Sequence, residues 1–272
     1  MSTVDHKAHI RGSEARRATE LHDVSGRVAI ITGAGQGIGR TFALAFAAAG
    51  AIPVIAERDP ERADRVAREI EAFGGTALAI QTDVADAHSL NDMVHRVMGA
   101  FGRIDILINN AAIFSTLKMR PFEEIPLDEW RQVLEVNITG VMLGCRAVVP
   151  HMRSRCWGRI VNMSSGSVLM GRPNYLHYTT SKSALIGMTR SLARELGGNG
   201  ITVNALMPGA VFTEIPRETV TPDQTRVIVE TQCIHRPQTP HDLVGTVLFL
   251  SSEGAAFLTG QSIAVDGGLR HL

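Results

Sequence analysis

A chain of 272 residues, 44% hydrophobic and only 20% charged, has enough apolar matter for a packed core, and its 26 glycines follow no repeat. A disordered or collagen-like chain is thereby excluded. The 27 basic and 27 acidic side chains cancel, which leaves no basic field for a phosphodiester backbone, so no nucleic-acid partner is expected.

Cys145, Cys156 and Cys233 are odd in number and widely spaced. They form neither a disulfide framework nor a Cys-x-x-Cys site, and they point to a reducing, cytoplasmic setting. No histidine or carboxylate cluster has ligand spacing, so no metal is expected. Residues 1–25 mix charges without an apolar run and read as a flexible extension, not a signal peptide. The most apolar stretch, Phe42–Ala51, is about half the roughly twenty residues a bilayer span needs, so no membrane is expected.

From Arg27 onward short apolar runs alternate with helical patterns. Val28–Thr32 leads into a helix reaching about Ala49. The strand Ile52–Ala56 precedes the helix Pro60–Phe73, and Thr76–Gln81 precedes His88–Phe101. Ile104–Asn109 is a fourth strand, followed by a long helix over Leu127–Met152. Then come Arg159–Met163, the helix Tyr178–Leu196, the strand Thr202–Leu206, the helix Pro240–Ser251 and a last strand, Ser262–Val265. Strands apolar throughout are buried on both faces. Repeated β-α units with right-handed crossovers build an α/β fold, a doubly wound parallel sheet with helices on both faces. No composition shift marks a linker, so residues 26–272 form a single domain. Ile113–Pro126, Gly166–His177 and Ala210–Thr239 fit neither pattern, and the last reads as a substrate lid over about 210–239.

The run Thr32-Gly33-Ala34-Gly35-Gln36-Gly37-Ile38-Gly39 sits where the first strand turns into the first helix. It fits G-x-x-x-G-x-G at Gly33, Gly37 and Gly39. Glycines there let backbone approach a pyrophosphate, and the helix N-terminus offers unpaired N–H groups. Glu57 follows the second strand, where a carboxylate accepts from adenosine ribose hydroxyls and repels a 2′-phosphate. That favours NAD over NADP, with Arg58 beside it as the contrary feature. Tyr178 and Lys182 lie four residues apart, on one helix face. A phenol needs a neighbouring cation to transfer protons near neutral pH, and Lys182 supplies one. His177 reads as a helix-start residue rather than a substrate contact.

Ser165 ends the fifth strand upstream of Tyr178, and at this point the chain resembles the short-chain dehydrogenase/reductase family over roughly Gly26–Gly268. The matching elements are Thr32–Gly39, Asp83-Val84, Asn109-Asn110-Ala111-Ala112, Asn137, Ser165, Tyr178, Lys182, Pro208-Gly209, Thr213 and Val265–Gly268. The resemblance implies a Rossmann-type NAD(P)-dependent oxidoreductase acting on a secondary alcohol or its ketone. It implies Tyr178 as general acid/base, Ser165 as the substrate-oxygen partner, and Lys182 as the group that lowers the Tyr178 pKa and holds the nicotinamide ribose. Asn137 would anchor a proton relay. Asp83 and Val84 would meet the adenine, Asn110 and Ala111 the adenosine side, and Pro208, Gly209, Val211 and Thr213 the nicotinamide. Gln36, neutral before the second glycine of the loop, agrees with Glu57 in favouring NAD. Ala112 stands where glycine is usual and adds only a methyl.

The resemblance also implies a homotetramer formed through the Leu127–Met152 and Tyr178–Leu196 helices and the Val265–Gly268 edge. Val168, Leu169, Met170, Leu176, Val211, Phe212 and Ile215 make the substrate segments apolar, which suits a hydrophobic or aromatic alcohol. The alternative is a 3-oxoacyl-carrier-protein reductase, against which stand the neutral Cys156 and Asn199, with Arg153 and Arg155 close by. A catalytically silent NAD-binding scaffold is remote, because Asn137, Ser165, Tyr178 and Lys182 are all present.

Overall fold

The computed structural model describes residues 21–216 and 222–270. Its strands are β1 (Val28–Thr32), β2 (Ile52–Glu57), β3 (Leu78–Gln81), β4 (Ile106–Asn109), β5 (Gly158–Met163), β6 (Ile201–Pro208) and β7 (Ser262–Val265). They pair in parallel in the order β3-β2-β1-β4-β5-β6-β7. Every residue of β1, β4, β5 and β6 is buried, as continuous apolar strands require when helices cover both faces.

Successive residues of β1 serve opposite cores. Ala29 and Ile31 pack with Phe42 and Phe46 of α1 (Gly37–Ala48) and with Leu243 and Val247 of α9 (His241–Leu250). Val28 and Ile30 pack with Leu90 and Met93 of α3 (Ala87–Phe101), Val148 of α5 (Gly140–Ser154) and Leu185 of α7 (Leu176–Leu196). Burial of each large side chain contributes about 1.5–3 kcal/mol. α2 (Pro60–Ala72) starts at Asp59, whose carboxylate accepts from the Glu61 and Arg62 amides. The strand order reverses between β1 and β4, and at such a switch point a crevice opens beyond the carboxyl ends of the strands.

Four expectations are corrected. The helix expected over Leu127–Met152 is α4 (Leu127–Leu134), a π-helical turn (Glu135–Thr139) and α5. A π turn inserts a residue into the helical register and is frequent at functional sites. Taken together, Leu127–Ser154 is long and apolar enough by length and composition to cross a membrane, which corrects the expectation drawn from Phe42–Ala51 that no apolar stretch reaches that length. Its Val141, Cys145, Val148 and Met152 are buried in the core, the position of a sheet-covering helix. The segments expected to be irregular contain helices α6 (Ser167–Met170) and α8 (Pro222–Thr231), while 217–221 of the lid lie outside the described residues. Of the extension expected over 1–25, residues 1–20 lie outside the described residues, but Leu21 O accepts from Gly254 N and Val24 is buried in the core.

Candidate active site

The glycine loop is shaped by its neighbours. Gly33 has φ +63°, and a Cβ there would lie 2.9 Å from Ala111 Cα. Thr32 Oγ1 accepts from the amides of Asn110 and Ala111, at 3.0 Å each, and Asn110 Nδ2 donates to Thr32 O and Gly33 O. The side chain of Asn110 therefore holds the end of β4 to the loop. A Cβ at Gly35 would lie 2.7 Å from Glu57 Cγ and from Arg62 Cβ. Glu57 in turn accepts from Gly35 N through Oε2 (3.1 Å) and from Asp59 N through Oε1 (3.2 Å).

A cleft of about 710 Å³ runs from this loop to α7, a volume within the usual range for ligand sites of roughly 300–1,000 Å³. Gly33, Gln36, Ile38, Gly39, Glu57, Asp83, Val84, Asn110 and Ala111 line its first half, and Ser165, Tyr178, Lys182, Pro208, Gly209, Val211 and Thr213 the second. The expected site residues thus converge, with two exceptions. Gly37 does not line the cleft, and its amide donates to Glu214 Oε1 at 2.8 Å. Nothing in the sequence shows that this lid carboxylate turns back to cap α1. Asn137 is fully buried and does not line the cleft either. Its Oδ1 accepts from Ile113 N (2.8 Å), and its Nδ2 donates to Ile113 O (3.2 Å) and Ser181 Oγ (3.1 Å). Ser181 Oγ donates to Tyr178 O at 2.7 Å. The π turn thereby ties the cleft wall at Ile113 to the helix turn carrying Tyr178.

Under α7, Asn109 Nδ2 donates to Asn162 Oδ1 and Asn162 Nδ2 to Thr189 Oγ1, at 2.9 Å each. The buried Lys182 Nζ donates to Met163 O (2.7 Å) and lies 5.8 Å from the Tyr178 ring centroid. Burial pushes its pKa down from 10.5 to about 8, since desolvation disfavours the charged form. Ser165 Oγ accepts from Ser167 N at 3.1 Å. The Phe114 ring stands 4.6 Å from the Tyr178 ring, a contact the irregular segment 113–126 gave no periodic signal for.

The substrate end is lined by apolar and charged side chains together, with Phe114, Val227, Ile228 and Leu269 among the apolar ones. Met170, Val211 and Ile215 line the cleft, but Val168, Leu169, Leu176 and Phe212 do not, and Arg172, Asp223 and Arg270 do. Beside Glu57, Arg58 and Arg62 also line the cleft; Arg58 precedes the Asp59 cap and Arg62 lies in the first turn of α2, so no shared helix face signalled Arg62. Among the described residues no group of three His, Cys, Asp or Glu side chains is placed to hold a metal.

A glycine cradle that a Cβ would fill, an acid at the end of β2 and a Tyr–Lys pair at the far end of one cleft define a dinucleotide-dependent oxidoreductase. A family model described as enoyl-(acyl carrier protein) reductase matches residues 33–270. The chain is 37% identical over 249 residues to a 3-oxoacyl-[acyl-carrier-protein] reductase of Synechocystis, covering 90% of this chain and 98% of that protein. Among solved structures it is similar to a putative NAD(P)-dependent gluconate 5-dehydrogenase of Beutenbergia cavernae with bound NADP, with TM-score 0.85, 38% identity and coverage of 92% and 98%. It is also similar to a 7α-hydroxysteroid dehydrogenase complexed with NADH and 7-oxo glycochenodeoxycholic acid, with TM-score 0.87, 32% identity and coverage of 92% and 96%. The chain belongs to the short-chain dehydrogenase/reductase family.

Proposed function

We propose that this enzyme interconverts a secondary alcohol of largely apolar body and its ketone, with NAD as the preferred dinucleotide. The observation that carries the reading is the convergence of Tyr178, Lys182 and Ser165 on a cleft whose other end is closed by Glu57. Glu57 would hold the adenosine ribose and Asp83 and Val84 the adenine. Gln36, Ile38 and Gly39 would hold the phosphates, and Pro208, Gly209, Val211 and Thr213 the nicotinamide. When bound, the nicotinamide supplies or accepts the hydride. Tyr178 takes the alcohol proton during oxidation and returns it to the carbonyl oxygen during reduction. Ser165 donates a hydrogen bond to that same oxygen, and the Lys182 cation stabilises the phenolate. The test is the change in NADH absorbance with a panel of secondary alcohols and 3-oxoacyl thioesters; no turnover of any alcohol overturns the reading.

A second reading, reduction of a 3-oxoacyl group on a carrier protein, is supported by the Synechocystis relative. A basic surface for an acidic carrier is less well supported, because Arg153 already pairs with Glu195 and Asn199, which leaves Arg155 exposed beside Cys156.

NAD should give the higher kcat/KM, and Glu57→Ser should narrow its lead over NADP by about tenfold, the equivalent of 1.4 kcal/mol, by removing a carboxylate while Arg58 and Arg62 stay. Paired kinetics with both cofactors decide this, and a wild-type preference for NADP refutes it. A homotetramer is supported by exposed apolar residues, Leu127 on α4 and Met142 on α5 within the expected Leu127–Met152 contact, with Leu176 on α7 and Phe257 before β7 outside the expected bounds. Light scattering should give four times the mass of one chain. A cytoplasmic location is supported by free cysteines at positions 145, 156 and 233.

A further inference from the structure

His177 precedes Tyr178 on α7, so its ring leaves the helix in another direction; it is fully buried and does not line the cleft. Neither ring nitrogen makes a hydrogen bond. Nε2 lies 3.3 Å from Oε1 of Glu129 on α4, and that oxygen is also buried and unpartnered. The other Glu129 oxygen is 3.4 Å from the Arg120 guanidinium, whose Nε is a further buried, unpartnered donor. The Tyr175 ring meets His177 edge-on, with centroids 6.1 Å apart. An unsatisfied buried polar atom has given up hydration for no partner, so such a cluster in a native fold calls for an explanation.

The three residues come from three parts of the site's framework. Arg120 belongs to the segment whose Ile113 and Phe114 line the cleft, Glu129 to the helix that leads into the π turn of Asn137, and His177 to the first turn of α7. The same parts are joined by Arg120 N donating to Asn174 O at 3.2 Å and by the Tyr175 hydroxyl donating to Leu117 O at 3.3 Å. Any slippage of the segment moves the Phe114 ring that stands against Tyr178.

We propose that His177 is a positioning residue, which directs a proton on Nε2 at Glu129 Oε1 and, with Arg120 on the other carboxylate oxygen, holds the Phe114 wall and Tyr178 in register for substrate. The proposal rests on the reading of Tyr178 as the proton-transfer group. A proton on Nε2 satisfies two of the unpartnered atoms at once, and it links a cation, an anion and a ring across α4, α7 and the cleft wall.

Packing and tying give opposite expectations for two substitutions. Phenylalanine fills the aromatic volume but removes the donor and strands the carboxylate. Glutamine keeps a donor on a thinner side chain. His177→Gln is expected to hold kcat/KM for the alcohol within about threefold of wild type, and His177→Phe to lower it at least about tenfold, mostly through KM, as small misplacements of a site do. NADH affinity, read by fluorescence titration, should be unchanged in both. Adding Glu129→Gln to His177→Phe removes the stranded charge and should raise the melting temperature without restoring kcat/KM. Activity kept by phenylalanine, lost with glutamine, or restored in the double variant overturns the proposal, and so does a loss of NADH affinity in His177→Phe. Tyr178→Phe is expected to lower turnover whether or not the tie exists, so failure here leaves the Tyr178 reading standing.

Discussion

Tyr178→Phe is expected to lower turnover by at least about 10²-fold, the lower end of what a positioned acid–base group contributes. The substitution removes the phenolic hydroxyl and with it the transferable proton. The ring remains, buried, with Phe114 at 4.6 Å and Tyr175 at 5.8 Å from its centroid, and the bond from Ser181 Oγ goes to the main-chain carbonyl of residue 178, which the change leaves in place. Stability and NADH affinity should therefore stay close to wild type, which separates lost chemistry from lost fold. Turnover is read as the rate of NADH absorbance change at saturating alcohol, beside a thermal melt and a cofactor titration of the same preparation. A variant with near-normal turnover sinks the assignment of Tyr178, and with it the direction of proton flow proposed above.

The fold was legible because its signal is local and repeated. β1 runs over the expected Val28–Thr32, and β7 over the expected Ser262–Val265, since short apolar runs between turn residues have one buried solution in a parallel sheet. The cleft was legible for the same reason, as its glycine loop, Glu57 and Tyr178–Lys182 sit at strand ends or on one helix face. What was not legible depends on partners distant in sequence. The π turn of Glu135–Thr139 exists where Asn137 bonds Ile113, 24 residues away, and Ser181, 44 away. The Gly37 amide bonds Glu214, 177 residues on. No periodicity reports such contacts.

Lys182→Met is expected to remove the pH dependence that Lys182 lends to stability while lowering turnover at least as steeply as acid–base groups do, by about 10²-fold or more. The amine is buried with one protein acceptor, Met163 O, at 2.7 Å, and its pKa is depressed from 10.5 to about 8. The sign follows from proton counting. Below pH 8 the lysine is charged in both folded and unfolded chains, so the whole cost of burying the cation is present. Between about pH 8 and 10.5 the unfolded chain binds a proton that the folded chain has released, and stability rises with pH. Above that window both are neutral. The rise amounts to about 3 kcal/mol at roughly 1.4 kcal/mol per unit. Methionine keeps the length and drops the charge, so the difference in unfolding free energy between wild type and variant, measured without cofactor by denaturant titration, should shift by this amount across that window. A flat difference would mean that the cation is not resisted by the fold. The charged form is also the one that stabilises the Tyr178 phenolate, so at neutral pH the protein holds in place a cation that burial opposes. A site of this kind keeps its function at a cost in stability.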